Sequence, residues 1–282
     1  YTSRVGVEYF RGKGGVAVPY ILRSMKEWQQ ENPSEPSIQH MLALKFSGGP
    51  KAAEQLLNFA HSRNRQTAES AITCLLMEPY TAPDQFYRTV LRLPAFTEGA
   101  LKVFRAKKQG KSIVGELKKM MERPRSLRQY SLTLAALREF ERGALTLPEY
   151  DSANHIMIRV MRYGDTPDTP KFVTFENTDL ISEGAMEKTE RKRIEEFVTQ
   201  LLKTLDKEAA FVAALSLAAY SPDAKTVSDA YIKRVRRIGA ELLGRMPGGV
   251  VRDTCLLLSR SITDAQDRAS LTRVMSEIGI RN

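Results

Sequence analysis

Apolar residues recur at helical spacing in one short segment after another, and this pattern restricts the possible fold more than any other feature of the chain. In residues 51–62, the apolar positions that share one helical face are Ala52, Ala53, Leu56, Leu57 and Ala60. Residues 66–77, 111–122 and 126–141 show the same spacing, and each segment ends at Gly, Pro, Asn or a polar cluster. These patterns predict amphipathic helices, so we expect an all-α fold.

The predicted helices fall into pairs. Residues 51–77, 83–105 and 111–141 each contain two short helices joined by a few polar residues, which makes a repeat of roughly 30 residues. One helix pair is too small to cover its own apolar face, whereas stacked pairs bury a continuous core. The pattern therefore favours a one-dimensional array of stacked helical hairpins.

Two of these pairs resemble HEAT repeats. The first resemblance lies in GPKAAEQLL at residues 49–57 followed by SRNRQTAESA at 62–71, and the second in SIVGEL at 112–117 followed by ERPRSLR at 122–128. In HEAT repeats the turn usually carries Pro or Asp, and a hydrophobic residue followed by Arg begins the second helix. Pro124, Leu127 and Arg128 match that pattern. The resemblance implies an α-solenoid and leaves the function open.

The second half of the chain is less regular. Residues 149–162 predict a helix, whereas residues 163–189 predict an irregular insertion in which 171–176 alternates weakly, as a short strand would. Helical spacing returns in residues 191–205, 207–220, 225–245, 249–261 and 264–278. We therefore expect an N-terminal lead-in at 1–15, a helical repeat array at 16–162, the insertion at 163–189, and further helical repeats with a cap at 190–282.

The composition is that of a globular protein, because 42% of the 282 residues are hydrophobic and 27% are charged. No apolar stretch is long enough for a transmembrane helix, so we expect a soluble protein. Cys74 and Cys255 lie in apolar helical patterns. Two buried, reduced thiols are expected, which favours a reducing compartment; a disulfide or a catalytic thiol is the alternative. The first residue is Tyr1, which indicates a fragment, a processed chain or an engineered sequence.

Motifs that would indicate catalysis or a cofactor are not evident in the sequence. A glycine-rich stretch at 12–17 has the look of a dinucleotide loop, but no second strand follows it, so a flexible lead-in is the better interpretation. His40, His61 and His155 share no metal-ligand spacing. Trp28 has no acidic and aromatic cluster around it of the kind that helical-repeat DNA glycosylases use, and a core or capping role is expected for it. We predict no metal, no cofactor, no small-molecule substrate and no enzymatic activity.

A run of cations is the strongest candidate for a binding site. The chain carries a formal charge of +10, and most of the excess lies between residues 102 and 128, where only Glu116 and Glu122 are acidic. The basic residues of this window are Lys102, Arg105, Lys107, Lys108, Lys111, Lys118, Lys119, Arg123, Arg125 and Arg128. Stacked helix pairs would align these charges as one stripe, which is typical of a polyanion site. A basic surface that docks an acidic protein is the alternative, because Phe104 and Tyr130 lie at core positions and few aromatic residues are left to stack on bases.

The central insertion offers a second candidate surface. Phe172, Val173 and Phe175 either pack on the helices or serve as apolar anchors for a partner. Taken together, these patterns predict a non-catalytic protein-interaction scaffold whose partner is another protein, with an acidic protein as the candidate. Binding of the DNA or RNA backbone through the same cations is the alternative, and a helical-repeat DNA glycosylase is a distant third.

Overall fold

The computed structural model describes residues 9–32, 38–142, 144–150, 156–163, 170–177, 207–218 and 229–280, together with residue 220 and seven separate positions between 192 and 203. Helices make up most of this part of the chain, so the predicted helical class is confirmed. The chain divides into two compact units, Tyr1–Gln109 and Gly110–Asn282, and each is described by itself.

The first unit is built from short helices that pair with their neighbours in the sequence. Its α-helices are α1 (Val18–Glu31), α2 (Ile38–Ser47), α3 (Pro50–Ala60), α4 (Arg65–Leu75), α5 (Asp84–Leu91) and α6 (Thr97–Ala106). Both α1 and α3 have a proline in their first turn. Proline has no backbone N–H group, and this causes no loss there because the first N–H groups of a helix have no helical acceptor. Asn64 caps α4 by accepting a hydrogen bond from the Thr67 backbone N–H at 3.0 Å.

The predicted helix pairs of the first unit are present, and buried side chains connect one pair to the next. The Tyr87 hydroxyl of α5 donates to the Leu75 carbonyl at the end of α4 and accepts from the Ala82 N–H. The largest fully buried side chains of this unit are Ile21, Met41, Leu44, Leu56, Leu75, Tyr87, Leu91, Leu101 and Phe104. Each of the six helices therefore contributes at least one of these fully buried side chains.

The glycine-rich stretch near the N-terminus is folded onto this unit. Gly14–Val16 form a short 3-10 helix, and the Gly12 N–H donates to the Phe46 carbonyl at 3.0 Å. The interpretation of this stretch as a flexible lead-in is therefore wrong for residues 9–15. The first eight residues lie outside the described part of the chain.

The second unit combines helices with a small sheet. Its α-helices are α7 (Val114–Glu122), α8 (Leu127–Arg142), α9 (Lys207–Ala218), α10 (Asp229–Gly244), α11 (Gly248–Ser261) and α12 (Ala265–Glu277). A 3-10 helix at Gly110–Ile113 precedes α7. Three antiparallel strands follow α8 in the order β1 (Ala144–Tyr150), β2 (Ile156–Tyr163) and β3 (Pro170–Asn177), and β1 contacts both α8 and α9.

The helix predicted at 149–162 is wrong, because residues 149–150 end β1 and residues 156–162 form most of β2; residues 151–155 lie outside the described part of the chain. Ile156, Ile158 and Val160 are β-branched residues at alternate positions, which favours an extended strand. The same segment also fits a helical spacing, so periodicity alone did not distinguish the two. The weak strand pattern at 171–176 is confirmed by β3, so the predicted insertion is not wholly irregular.

The core of the second unit depends on a very close approach of two helices. A Cβ placed on Gly239 of α10 would clash with the backbone nitrogen of Ala218 and would lie 2.7 Å from the Ala214 carbonyl oxygen, both in α9. Glycine at 239 and the alanines of α9 therefore let the two backbones approach closely. Around this contact lies a buried cluster that includes Leu127, Val235, Leu242, Leu258 and Leu271.

Candidate anion-binding site

The cations of the first unit are partly neutralised by carboxylates from outside the basic window. Lys102 Nζ lies 3.1 Å from Glu98 Oε1. Lys107 Nζ lies 2.7 Å from Asp84 Oδ1 and 4.9 Å from the centre of the Tyr87 ring. The hydrogen bond from Lys107 is the main cause that lowers the pKa of Asp84. Lys107 is thus a structural cation that joins α5 to the end of α6.

Lys108 is exposed, and its backbone is left-handed with φ of 56°. It occupies the position after the cap of α6, where the Lys108 N–H donates to Arg105 and the Gln109 N–H donates to Phe104. Glycine is the usual residue in this helix-ending motif. The chain therefore carries a charged side chain where the backbone alone favours glycine. Arg105 is half-buried on the same helix.

The six basic-window cations of the second unit lie in three settings. Lys118 Nζ lies 2.6 Å from Glu141 Oε1, so its charge is paired with the end of α8. Lys111 is exposed in the 3-10 helix before α7. The remaining four are exposed at or beside the turn between α7 and α8, and we call them the turn cations: Lys119, Arg123, Arg125 and Arg128.

Hydrogen bonds fix the backbone that carries the turn cations. The Ser126 hydroxyl accepts from the Gln129 N–H at 3.0 Å, which caps α8, and the Gln129 side chain accepts from the Arg125 N–H at 3.1 Å. Pro124 is buried, and the Arg125 carbonyl accepts from the Thr263 N–H at 3.3 Å. Because the turn is already ordered, binding at these side chains would cost little backbone entropy.

Asp267 connects this turn to the last helix. Its carboxylate accepts from the Leu127 N–H at 2.8 Å, and its own N–H donates to the Asp264 side chain at 2.9 Å. Burial raises the pKa of Asp267, and the bond from Leu127 opposes that shift. Asp267 therefore lies in the first turn of α12, which Asp264 caps, and its carboxylate accepts from the first turn of α8. Asp267 and the exposed Glu122 place acidic side chains near the turn cations.

The prediction of one continuous basic stripe stays a prediction. Lys102, Arg105, Lys107 and Lys108 belong to the first unit, and the other six cations belong to the second. The second candidate surface, Phe172, Val173 and Phe175, lies in β3, where these residues pair with Met161, Val160 and Ile158 of β2. Their role as apolar anchors likewise stays a prediction.

Other groups that carry chemistry lie in settings that favour a structural role. Burial raises the pKa of both Cys74 and Cys255 to about 11, so both thiols are protonated at neutral pH, and neither forms a disulfide. Ser24 Oγ lies 3.0 Å from His40 Nε2. Ser24 is in the middle of α1, where neighbouring N–H groups are engaged in helix bonds and offer no oxyanion site. Phe104 and Tyr130 are buried, as predicted. His155 lies outside the described residues.

A cationic groove in the second unit was not among the predicted sites. Lys233, Arg236 and Arg237 of α10 and Arg273 of α12 line it. The run at 233–237 is visible in the sequence, but Arg273 is far away along the chain and joins it only through helix packing. A search for basic residues on one face of two separate helices would have been needed to find it.

No protein-family model, curated protein or solved structure matches the chain. Among the described residues, no helix is both long and apolar enough to span a bilayer. Within those same ranges, His, Cys, Asp and Glu side chains do not gather in groups of three that could hold a metal ion.

Proposed function

We propose that this protein is a non-catalytic interaction scaffold that docks an acidic segment of another protein on the turn cations. The observation that carries the proposal is the turn between α7 and α8, where exposed cations lie on a backbone that forms hydrogen bonds with the Ser126 and Gln129 side chains and the Thr263 N–H. Because an ordered surface loses little entropy when a partner docks, more of the favourable electrostatic free energy contributes to the binding affinity.

The HEAT-like arrangement is part of this proposal. Paired helices with a shared core, such as α3 with α4 and α7 with α8, are the units from which an α-solenoid is stacked. Such arrays present extended surfaces for partners. The short turn that carries Arg123 and Arg125 is the kind of inter-helix position at which these surfaces are varied.

Binding of a nucleic-acid backbone is the second candidate, and the arginines favour it specifically. A guanidinium group donates two parallel hydrogen bonds to phosphate oxygens, and three of the turn cations are arginines. No aromatic side chain among the described turn residues 119–128 is available to stack on a base. Contact would therefore be to phosphates and independent of base sequence. The helical-repeat glycosylase suggested as a third possibility gains no support from these features.

A charge-reversal experiment tests both candidates. The test variant combines Lys119→Glu, Arg123→Glu, Arg125→Glu and Arg128→Glu. The control variant carries the same charge change on exposed cations elsewhere, through Arg23→Glu, Lys26→Glu, Arg63→Glu and Arg252→Glu. Lys107 is unchanged in both variants, because it pairs with Asp84 and reversing its charge would break that ion pair within the first unit.

Fluorescence anisotropy is measured with a labelled glutamate-rich peptide and with a short DNA duplex. We expect the native protein and the control to bind the peptide at physiological salt, and the test variant to bind at least about tenfold more weakly. Duplex binding that survives physiological salt, with a log–log salt slope near −4 for about four phosphates, would favour the nucleic-acid candidate. Equal binding by the test and control variants would refute the turn cations as the site.

A further inference from the structure

A groove between α10 and α12 of the second unit is lined mainly by cations. Its volume is about 710 Å³, which lies within the range of small-molecule sites. The cationic side chains that line it are Lys233, Arg236, Arg237, Arg245 and Arg273. Two acidic residues, Glu241 and Glu277, oppose them. The groove uses none of the turn cations, so it is independent of the function proposed above.

Two of the arginines are held in place by carbonyl groups at the end of α9 and just beyond it. Arg236 Nε donates to the Tyr220 carbonyl at 2.8 Å, and Arg273 Nη2 donates to the Ala218 carbonyl at 3.3 Å. The last carbonyls of a helix lack helical partners and carry partial negative charge, so they are natural anchors for arginine. Each guanidinium group has five N–H donors, and these bonds leave donors available for a ligand.

Holding these arginines close together has an electrostatic cost. The pKa of Arg236 is lowered, first by burial and then by the positive charge of Arg273, while Glu277 opposes the shift. Glu277 Oε1 lies 3.3 Å from Arg273 Nη1, and Glu241 lies 4.0 Å from Arg245. Two carboxylates leave the positive charge of five cations incompletely balanced. An anion in the groove would remove that repulsion.

The chemistry of the lining selects the kind of anion. Arginine forks match the paired oxygens of phosphate, and several cations in one groove favour a ligand with several charges. The residues that line the groove in the described part of the chain include no aromatic side chain, so a nucleobase finds no stacking partner there. We infer that this groove binds a compact oligophosphate, a small molecule with two or more phosphate groups.

Calorimetric titration of the full chain with inorganic tripolyphosphate at physiological ionic strength tests this assignment. We expect one site per chain and an affinity at least about tenfold above that for orthophosphate, since only the longer ion reaches several cations at once. The double variant Lys233→Gln with Arg237→Gln should bind tripolyphosphate at least about tenfold more weakly. These two side chains hold none of the α9 carbonyls named above, so the fold should be retained, as circular dichroism would verify.

Two further variants separate a built site from general charge. Arg252→Gln removes one exposed charge from α11, away from the groove lining, and should leave the affinity within about twofold of native. Arg236→Lys keeps the charge but loses the fork, and should weaken binding several-fold.

Three results would overturn the inference. They are equal tripolyphosphate affinity in the native protein and the double variant, absence of binding at millimolar concentration, and binding of a single-stranded oligonucleotide in the groove without binding of tripolyphosphate. The last result would assign the groove to a nucleic-acid backbone. None of these outcomes depends on Lys119, Arg123, Arg125 or Arg128, so the proposed docking function is tested separately.

Discussion

Lys45 is a buried cation whose replacement by methionine makes a sharp test of the first-unit core. Its side chain is 2% exposed, and Nζ donates to the Pro79 carbonyl. Burial lowers the pKa of Lys45 from 10.5 to about 8, while burial raises the pKa of the nearby Cys74 to about 11. At neutral pH the thiol is therefore protonated, and the ammonium group has no anionic partner in Cys74.

The size of the effect follows from that pKa. A fall from 10.5 to about 8 corresponds to about 3 kcal/mol against the charged form in the folded state. The unfolded chain binds the proton more tightly, so the penalty is fully present below about pH 8 and disappears as the pH rises through 8 towards 10.5. From about pH 7 to about pH 9.5, the native protein should gain about 2 kcal/mol in free energy of unfolding relative to Lys45→Met.

At neutral pH alone the variant is less informative. Methionine replaces the four-carbon stem of the lysine side chain with a chain of the same length and carries no charge, which favours the variant. The Pro79 carbonyl, however, loses its donor, which costs about 1–3 kcal/mol. These terms largely offset one another, and the second changes little with pH. The pH dependence of the difference is therefore the diagnostic quantity.

Urea denaturation at several pH values measures how the stability difference between the native protein and Lys45→Met changes with pH. Trp28, the only tryptophan, lies in α1 of the same unit, so its fluorescence reports unfolding where Lys45 is buried. Lys26→Met, on an exposed position of α1, is the control and should follow the native protein at every pH. Parallel curves for Lys45→Met and the native protein would refute the reasoning.

Three further substitutions test the packing and the helix ends. Gly239→Ala should destabilise the second unit by more than about 3 kcal/mol or prevent its folding, because the new methyl group would clash with the backbone of α9. Gly115→Ala is the control, since a methyl group there has open space, and it should be neutral or stabilising. Equal shifts in the melting temperature of the two variants would contradict this prediction. Asp267→Ala should cost about 1–2 kcal/mol in chemical denaturation by removing the acceptor for the Leu127 N–H, and an unchanged midpoint would argue against that bond. Lys108→Gly should stabilise the first unit by up to about 1 kcal/mol, because glycine adopts the left-handed backbone without strain. Gly279→Ala, at the matching position after α12, should destabilise the second unit. Stability changes of the same sign in the two variants would refute the left-handed strain.

Helix positions could be predicted well because they depend on local spacing. The segments 83–92 and 97–105, for example, correspond closely to α5 and α6. The sheet was missed where the local signal supports two periods at once: Ile156, Met157, Val160 and Met161 suit one face of a helix, and the β-branched residues among them also alternate. Pairing with β1 and β3 decides between the two, and pairing is a long-range interaction.

The candidate site was harder to predict because charge is redistributed by folding. The basic window contains only two acidic residues, yet Asp84, Glu98 and Glu141 reach Lys107, Lys102 and Lys118 from outside it. Counting charges along the sequence therefore overstates the free positive charge of this window. The groove illustrates the opposite error, because Arg236 and Arg273 come together only when α10 and α12 both contact the end of α9.

The bond from Leu127 to Asp267 also has a consequence for how the chain folds as it is synthesised. These residues are 140 positions apart, so the first turn of α8 waits for its acceptor until α12 has left the ribosome. In the first unit, by contrast, the bonds from Tyr87 to Leu75 and from Lys107 to Asp84 join residues only 12 and 23 positions apart. The first unit can therefore complete its core while the second is still being translated, whereas α8 reaches its final packing only after α12 has been synthesised.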